Sequence, residues 1–174
     1  MMRPAPTRDS CGHALHALIA GRWDDWSGLP ERCTFASVAG EMGGSEVLDS
    51  IDYLGSAGVS CARSSLGNAP VLVWHAGDMP LLVECDLLGT PREPPPLDGP
   101  AVRRLDVHWG AGMMAGGEAV IAERGLALIL TRKDRVVACR GFAPMTFDDY
   151  VLKRRPSSEP LKPFQPLLSE GGLP

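Results

Sequence analysis

The stretch Glu118 to Pro144, EAVIAERGLALILTRKDRVVACRGFAP, constrains the fold of this chain more than any other. It reads as three short antiparallel strands. Two tight turns, Glu123-Arg124-Gly125 and Arg132-Lys133-Asp134, interrupt runs rich in Val, Ile and Leu. Leu126, Leu128, Leu130, Val137 and Cys139 read as scaffold. The meander carries no recognisable nucleophile, metal cluster or phosphate loop. It therefore fixes a type of architecture and leaves the chemistry to other segments.

Upstream of it, two more strand candidates, Ala69 to His75 and Met79 to Asp86, flank an Ala76-Gly77-Asp78 turn of hairpin composition. Tyr53-Leu54 and Val59 to Ser65 are weaker strand candidates, and Ser45 to Asp52 reads as a helical turn or an irregular edge. Alternation places Glu84 and Asp86 opposite Cys85, as on the wet face of an antiparallel sheet. A first helix is expected from Ser10 to Ala20, with Leu15, Leu18 and Ile19 on one face and Gly21 as its stop. A second should open at Thr34, an N-cap residue, carry Phe35, Val38, Ala39 and Met42 as an apolar stripe, and end on Gly43-Gly44. Five prolines between Thr90 and Pro100 make a rigid connector, and Ala101 to Val107 reads as a short helix or an extended segment. Thr146 to Arg155 reads as a closing helix with Thr146 as its N-cap. The expected fold class is α+β: antiparallel sheet from hairpins and the meander, covered by the N-terminal helices.

Residues 1–9 read as a flexible arm, 10–155 as one α+β domain with halves 10–87 and 88–155, and 156–174 as a Pro-rich tail, extended or disordered. A chain of 174 residues suits one domain or two small repeats sharing a core, and 44% hydrophobic residues suffice to bury one. The net charge of -4 argues against a nucleic-acid binder, and Lys153-Arg154-Arg155 reads as a solvated patch. The longest apolar run falls far short of the ~20 residues of a membrane span, and the N-terminus does not read as a signal peptide. A cytoplasmic location is expected. Five irregularly spaced cysteines with no CxxC read as reduced, buried thiols. With 14 arginines to 3 lysines, the composition suits a GC-rich bacterial genome.

The two halves share a short pattern. Gly28-Leu29-Pro30, Thr34, Val38 and Gly43 in the first, and Leu88-Gly89-Thr90-Pro91 in the second, each lead into antiparallel strands. This pattern resembles the tandem helix-plus-sheet repeats of the beta-lactamase inhibitor protein and the BamE-like lipoprotein family. The resemblance implies an architecture of two similar halves and no particular site residues. Because those families bind proteins, it also implies a binding role.

Candidates for a site lie in two segments. The Gly-rich loop from His108 to Gly117 combines a titratable ring, Trp109 and the adaptable Met113 and Met114. It lacks a Gly-Lys-Ser/Thr ending and a dinucleotide spacing, so it suits an irregular apolar ligand rather than a phosphate. The connector Trp23-Asp24-Asp25-Trp26 sets adjacent carboxylates between large rings. Cys11, His13 and His16 do not converge around one helix, and His75, Asp78 and Cys85 are spread along a hairpin, so no metal site, catalytic triad or cofactor is expected. The function expected is a non-catalytic binding or accessory protein for a hydrophobic small molecule or a protein partner, in the manner of a natural-product accessory protein. Trp23, Asp24, Trp26, Trp109, Met113 and Met114 would make the contacts, with Trp74 adding area. The alternative is a small cofactor-free cyclase or isomerase acting on a polyketide-like substrate, with His108 or Asp25 as its acid–base group.

Overall fold

The computed structural model describes residues 11–24, 26–42, 45–48, 58–105 and 115–156. The expected N-terminal arm, the Gly43-Gly44 cap, the Tyr53-Leu54 strand and almost all of the Pro-rich tail lie outside those residues.

Helix α1 (Cys11–Ala20) buries Cys11, Gly12, Leu15 and Leu18; Leu15 and Leu18 belong to the face read from the sequence, while Ile19 is half-buried. Gly21 ends it at φ +77, a conformation that costs glycine little. Helix α2 (Phe35–Glu41) opens as expected on Thr34, whose hydroxyl accepts from the Ser37 amide while the Ser37 hydroxyl accepts from the Thr34 amide. Its C-cap is Met42, in extended backbone, with its N–H on the Ala39 carbonyl.

The two helices are joined covalently. Cys11 and Cys33 form a disulfide with Cα atoms 5.2 Å apart, which corrects the expectation of reduced thiols for these two residues. The loop between them folds back so that the residue before the Thr34 cap meets the first turn of α1, inside the Cα range a disulfide spans. Nothing in the cysteine spacing encodes that return. Cys61, Cys85 and Cys139 are free and buried, as expected.

The strands are β1 (Ser45–Leu48), β2 (Ser60–Leu66), β3 (Ala69–Ala76), β4 (Met79–Asp86), β5 (Arg103–Leu105), β6 (Ala115–Ile121), β7 (Leu126–Thr131) and β8 (Val136–Phe142). They form one sheet in the order β1-β2-β3-β4-β8-β7-β6-β5, with every neighbouring pair antiparallel. Two four-stranded runs thus meet at the β4–β8 seam. The segment at Ser45, ambiguous in the sequence, is the β1 edge, and Ala101 to Val107 contributes the short β5 edge. The meander is present with both expected turns: a 3-10 turn at Ala122–Arg124 leads to Gly125 at φ +64, and Asp134 takes φ +56 between β7 and β8.

Alternation splits the sheet into two faces. Leu126, Leu128, Leu130, Val83, Cys85 and Cys139 face the helices and pack with Leu15, Leu18, Trp23 and Trp26. Gly141 lets the helical layer settle, because a Cβ there would stand 2.7 Å from Trp26 Cζ2 and 3.0 Å from Leu18 Cδ2. On the opposite face, Trp74, Leu82, Val120, Ala127 and Phe142 pack with Tyr150. Tyr150 opens the π-helical turn (Tyr150–Arg154) that continues the short closing helix α3 (Phe147–Asp149), which Thr146 caps by accepting from the Asp149 amide.

One scaffold assignment changes. Ile129 pairs with Ala138 but Leu130 pairs with Val136, leaving Val137 as an extra residue in β8. Val136 accordingly takes the core position beside Leu130, and Val137 lines a pocket on the other face.

Candidate functional site

The face opposite the N-terminal helices holds the chemistry. Register sets Arg63, Leu72, Glu84, Arg140 and Ala127 side by side across β2, β3, β4, β8 and β7. The next row carries Asp86, Ala138, Ile129 and Glu118. Glu84 was expected on a wet face. Instead its side chain is 15% exposed and accepts from Arg140 Nε at 2.6 Å.

Arg140 and Glu118 are buried at 2% and 0% exposure. Arg140 Nη1 donates to Glu118 Oε1 at 2.9 Å and to the Tyr150 hydroxyl oxygen at 3.3 Å. The Tyr150 hydroxyl in turn donates to Glu118 Oε1, and Arg155 Nε donates to Glu118 Oε2 at 2.8 Å. Two guanidiniums therefore face two carboxylates, and the cluster is neutral as a whole. That balance is what makes four ionised groups tolerable in a largely apolar setting.

Burial works against the Arg140 charge, but Glu84, the Tyr150 oxygen and Glu118 prevail and hold its pKa well above the usual value. Burial pushes the Tyr150 hydroxyl well above the usual phenol range; Arg140 opposes the rise and Glu118 adds to it. Tyr150 thus stays protonated and keeps its role as donor to Glu118. The cluster pins the closing helix to the sheet, and its paired atoms leave it little freedom to move a proton.

Beside the cluster lies a pocket of about 350 Å³. Pro70, Leu72, Ile129, Val137, Ala138 and Leu88 give it apolar walls, and Arg63, Glu84, Asp86 and Arg140 stand among them. Asp86 Oδ1 already accepts from the Leu88 amide at 2.8 Å. Arg63 is exposed and forms no ion pair among the described side chains; its register neighbour on β1 is Glu46.

The residues singled out in the sequence have other surroundings. Trp23 and Trp26 are buried at 1% and 4% exposure. Trp23 Nε1 donates to the Leu18 carbonyl and Trp26 Nε1 to the Gly125 carbonyl, both at 2.9 Å. Arg124 clamps the same connector, giving Nε to the Trp26 carbonyl and Nη2 to the carbonyls of Trp23 and Asp24. The connector therefore locks the helical layer to the meander turn, with the Asp24 side chain at the surface. Trp74 is buried on the pocket's face of the sheet, and its Nε1 has no hydrogen-bond partner among the described residues. Asp25, His108, Trp109, Met113 and Met114 lie outside the described residues. His75 Nδ1 is 2.8 Å from the Gly77 carbonyl oxygen and its ring stacks on Phe35, while Cys85 pairs in register with Cys139; no nucleophilic set assembles there.

Sequence reasoning missed Glu118, Arg140, Tyr150 and Arg155. The available signal was a single charge inside otherwise apolar strands, in EAVIA and in VVACRGF. Among the described residues, no helix is long and apolar enough to cross a membrane. Comparison with protein-family models, with curated proteins and with solved structures finds no match to this chain.

Proposed function

We propose that this protein is a non-catalytic binding protein that holds a hydrophobic small molecule on the sheet face opposite its N-terminal helices. The observation that carries this reading is the apolar-walled pocket of about 350 Å³ beside the Arg140 cluster. Its volume sits at the lower end of the ~300–1,000 Å³ range of small-molecule sites. A rigid, hydrogen-bonded cluster next to it keeps the walls in place without contributing a reactive group.

The groups lining the pocket favour binding over catalysis. Glu84 is held by Arg140 and Asp86 by the Leu88 amide, and a guanidinium does not act as a base near neutral pH. The enzyme alternative rests on His108 and Asp25. A protein partner has less support, because the exposed large apolar residues among those described, Met79 at the start of β4, Leu88 beyond its end and Leu152 in the π-helical turn, lie on separate elements, as scattered surface residues do. On location, the Cys11–Cys33 disulfide favours a disulfide-permitting compartment over the cytoplasmic one expected from the sequence.

The test is titration with the neutral fluorophore N-phenyl-1-naphthylamine. One saturable site per chain is expected, lost in Leu72→Trp, which fills the pocket, while far-UV circular dichroism is unchanged. Absence of saturable binding to the wild-type protein, or full binding by a folded Leu72→Trp variant, would overturn the reading.

A further inference from the structure

Resting on that reading of the pocket, we infer that its ligand is an amphipathic anion: an apolar body with one carboxylate, the carboxylate held by Arg63. The charges around the pocket are not equally available. Arg140 gives Nε to Glu84 and Nη1 to Glu118 and Tyr150. Glu84 is consumed by that contact, and Asp86 accepts from a backbone amide. Arg63 is the cation at the pocket that is exposed and has no ion pair among the described side chains, while Asp86, on β4, keeps its negative charge with only the Leu88 amide on Oδ1.

The layout fits such a molecule. Arg63 is the register partner of Leu72, and Leu72 that of Glu84. A body lying against Leu72, Ala138 and Ile129 would bring its end to the β2 side of the pocket, where the Arg63 fork can take two carboxylate oxygens. A cationic head placed at that β2 end would meet the Arg63 guanidinium instead. The volume of about 350 Å³ limits the body to a small ring system or a short chain.

The experiment compares two isosteres, 2-naphthoate and 2-naphthamide, by calorimetry and by displacement of N-phenyl-1-naphthylamine. 2-Naphthoate should bind about tenfold more tightly than the amide, as a charge-assisted hydrogen bond provides. Added salt should narrow that margin. In Arg63→Gln, a surface substitution, the margin between naphthoate and the amide should close, because naphthoate loses the charge-assisted contact. Equal binding of the two isosteres by the wild-type protein would overturn the carboxylate inference and leave the pocket reading standing. Preference for naphthoate that survives Arg63→Gln would overturn the role given to Arg63. If neither isostere nor the neutral fluorophore binds, both readings fall together.

Discussion

Arg140 reaches Glu118 across an intervening strand. Arg140 is on β8 and Glu118 on β6, and the β7 residue opposite Arg140 is Ala127. A methyl group at that position leaves the guanidinium room to pass over β7 and close its 2.9 Å contact. Ala127 is itself fully buried, so a larger side chain there would have to displace the bridge. Glu118→Gln removes the charge that both Arg140 and Arg155 meet. It should lower stability by roughly 3–5 kcal/mol, the cost of leaving a buried charge short of its partner. Urea unfolding followed by circular dichroism measures this. A loss under ~1 kcal/mol would mean that the cluster is open to water and does not brace the fold.

Much of the scaffold was legible because it is local. The meander needed only the period-two runs around Gly125 and Asp134, and α2 needed only Thr34 ahead of an apolar stripe. The candidate site was not legible, because register creates it. Glu84, Glu118, Arg140 and Arg155 are each an ordinary charge in their own segments, and Glu84 read as part of a wet face. Only the β4–β8 seam sets Glu84 opposite Arg140, and only the closing helix lays Tyr150 over Phe142, with ring centroids 4.6 Å apart. The Trp23–Trp26 connector misled for the complementary reason. Its aromatic and acidic composition suggests a ligand surface, while its indole N–H groups are spent on backbone carbonyls, that of Leu18 at the end of α1 and that of Gly125, 99 residues away in sequence.

The thiol of Cys61 gives the fold an alkaline limit. Burial first, and Glu84 second, raise its pKa from 9.0 to about 11, with Arg63 opposing. The folded state favours the neutral thiol. Its contribution is therefore complete below the unfolded value near pH 9 and is lost as pH rises toward the folded value near 11. Cys85 and Tyr150 shift in the same direction. The melting temperature should be level from pH 7 to 9 and then fall. In Cys61→Ala the fall between pH 9 and 11 should be shallower than in the wild type. Parallel profiles for the two proteins would show that Cys61 ionises as freely folded as unfolded.

The Cys11–Cys33 bridge can be counted and weighed. The unreduced protein, denatured in guanidinium, should release three thiols to Ellman's reagent: Cys61, Cys85 and Cys139. With the paired positions 22 apart in sequence, the loss of the cross-link should cost ~3 kcal/mol through the freedom regained by the unfolded chain. Urea unfolding of Cys33→Ser, or of the wild type in dithiothreitol, should show it. Five reactive thiols in unreduced protein would remove the bridge from the account of the fold.

Two glycines should respond in opposite directions to the same substitution. Gly141 lies under the helical layer, where the added methyl would collide with Trp26 and Leu18. Neither can retreat freely: Trp26 is tied by its indole N–H to the Gly125 carbonyl, and Leu18 is fully buried. Gly141→Ala should therefore cost ~1–3 kcal/mol, as overpacking does. Gly40 lies inside α2 with nothing within 4 Å of a Cβ placed there. Gly40→Ala should stabilise by ~0.4–1 kcal/mol, because alanine has less backbone freedom to lose on folding. Thermal melts of both variants beside the wild type decide the matter. A stabilising Gly141→Ala would mean that α1 and the tryptophan connector stand farther from β8 than the close approach at Gly141 requires.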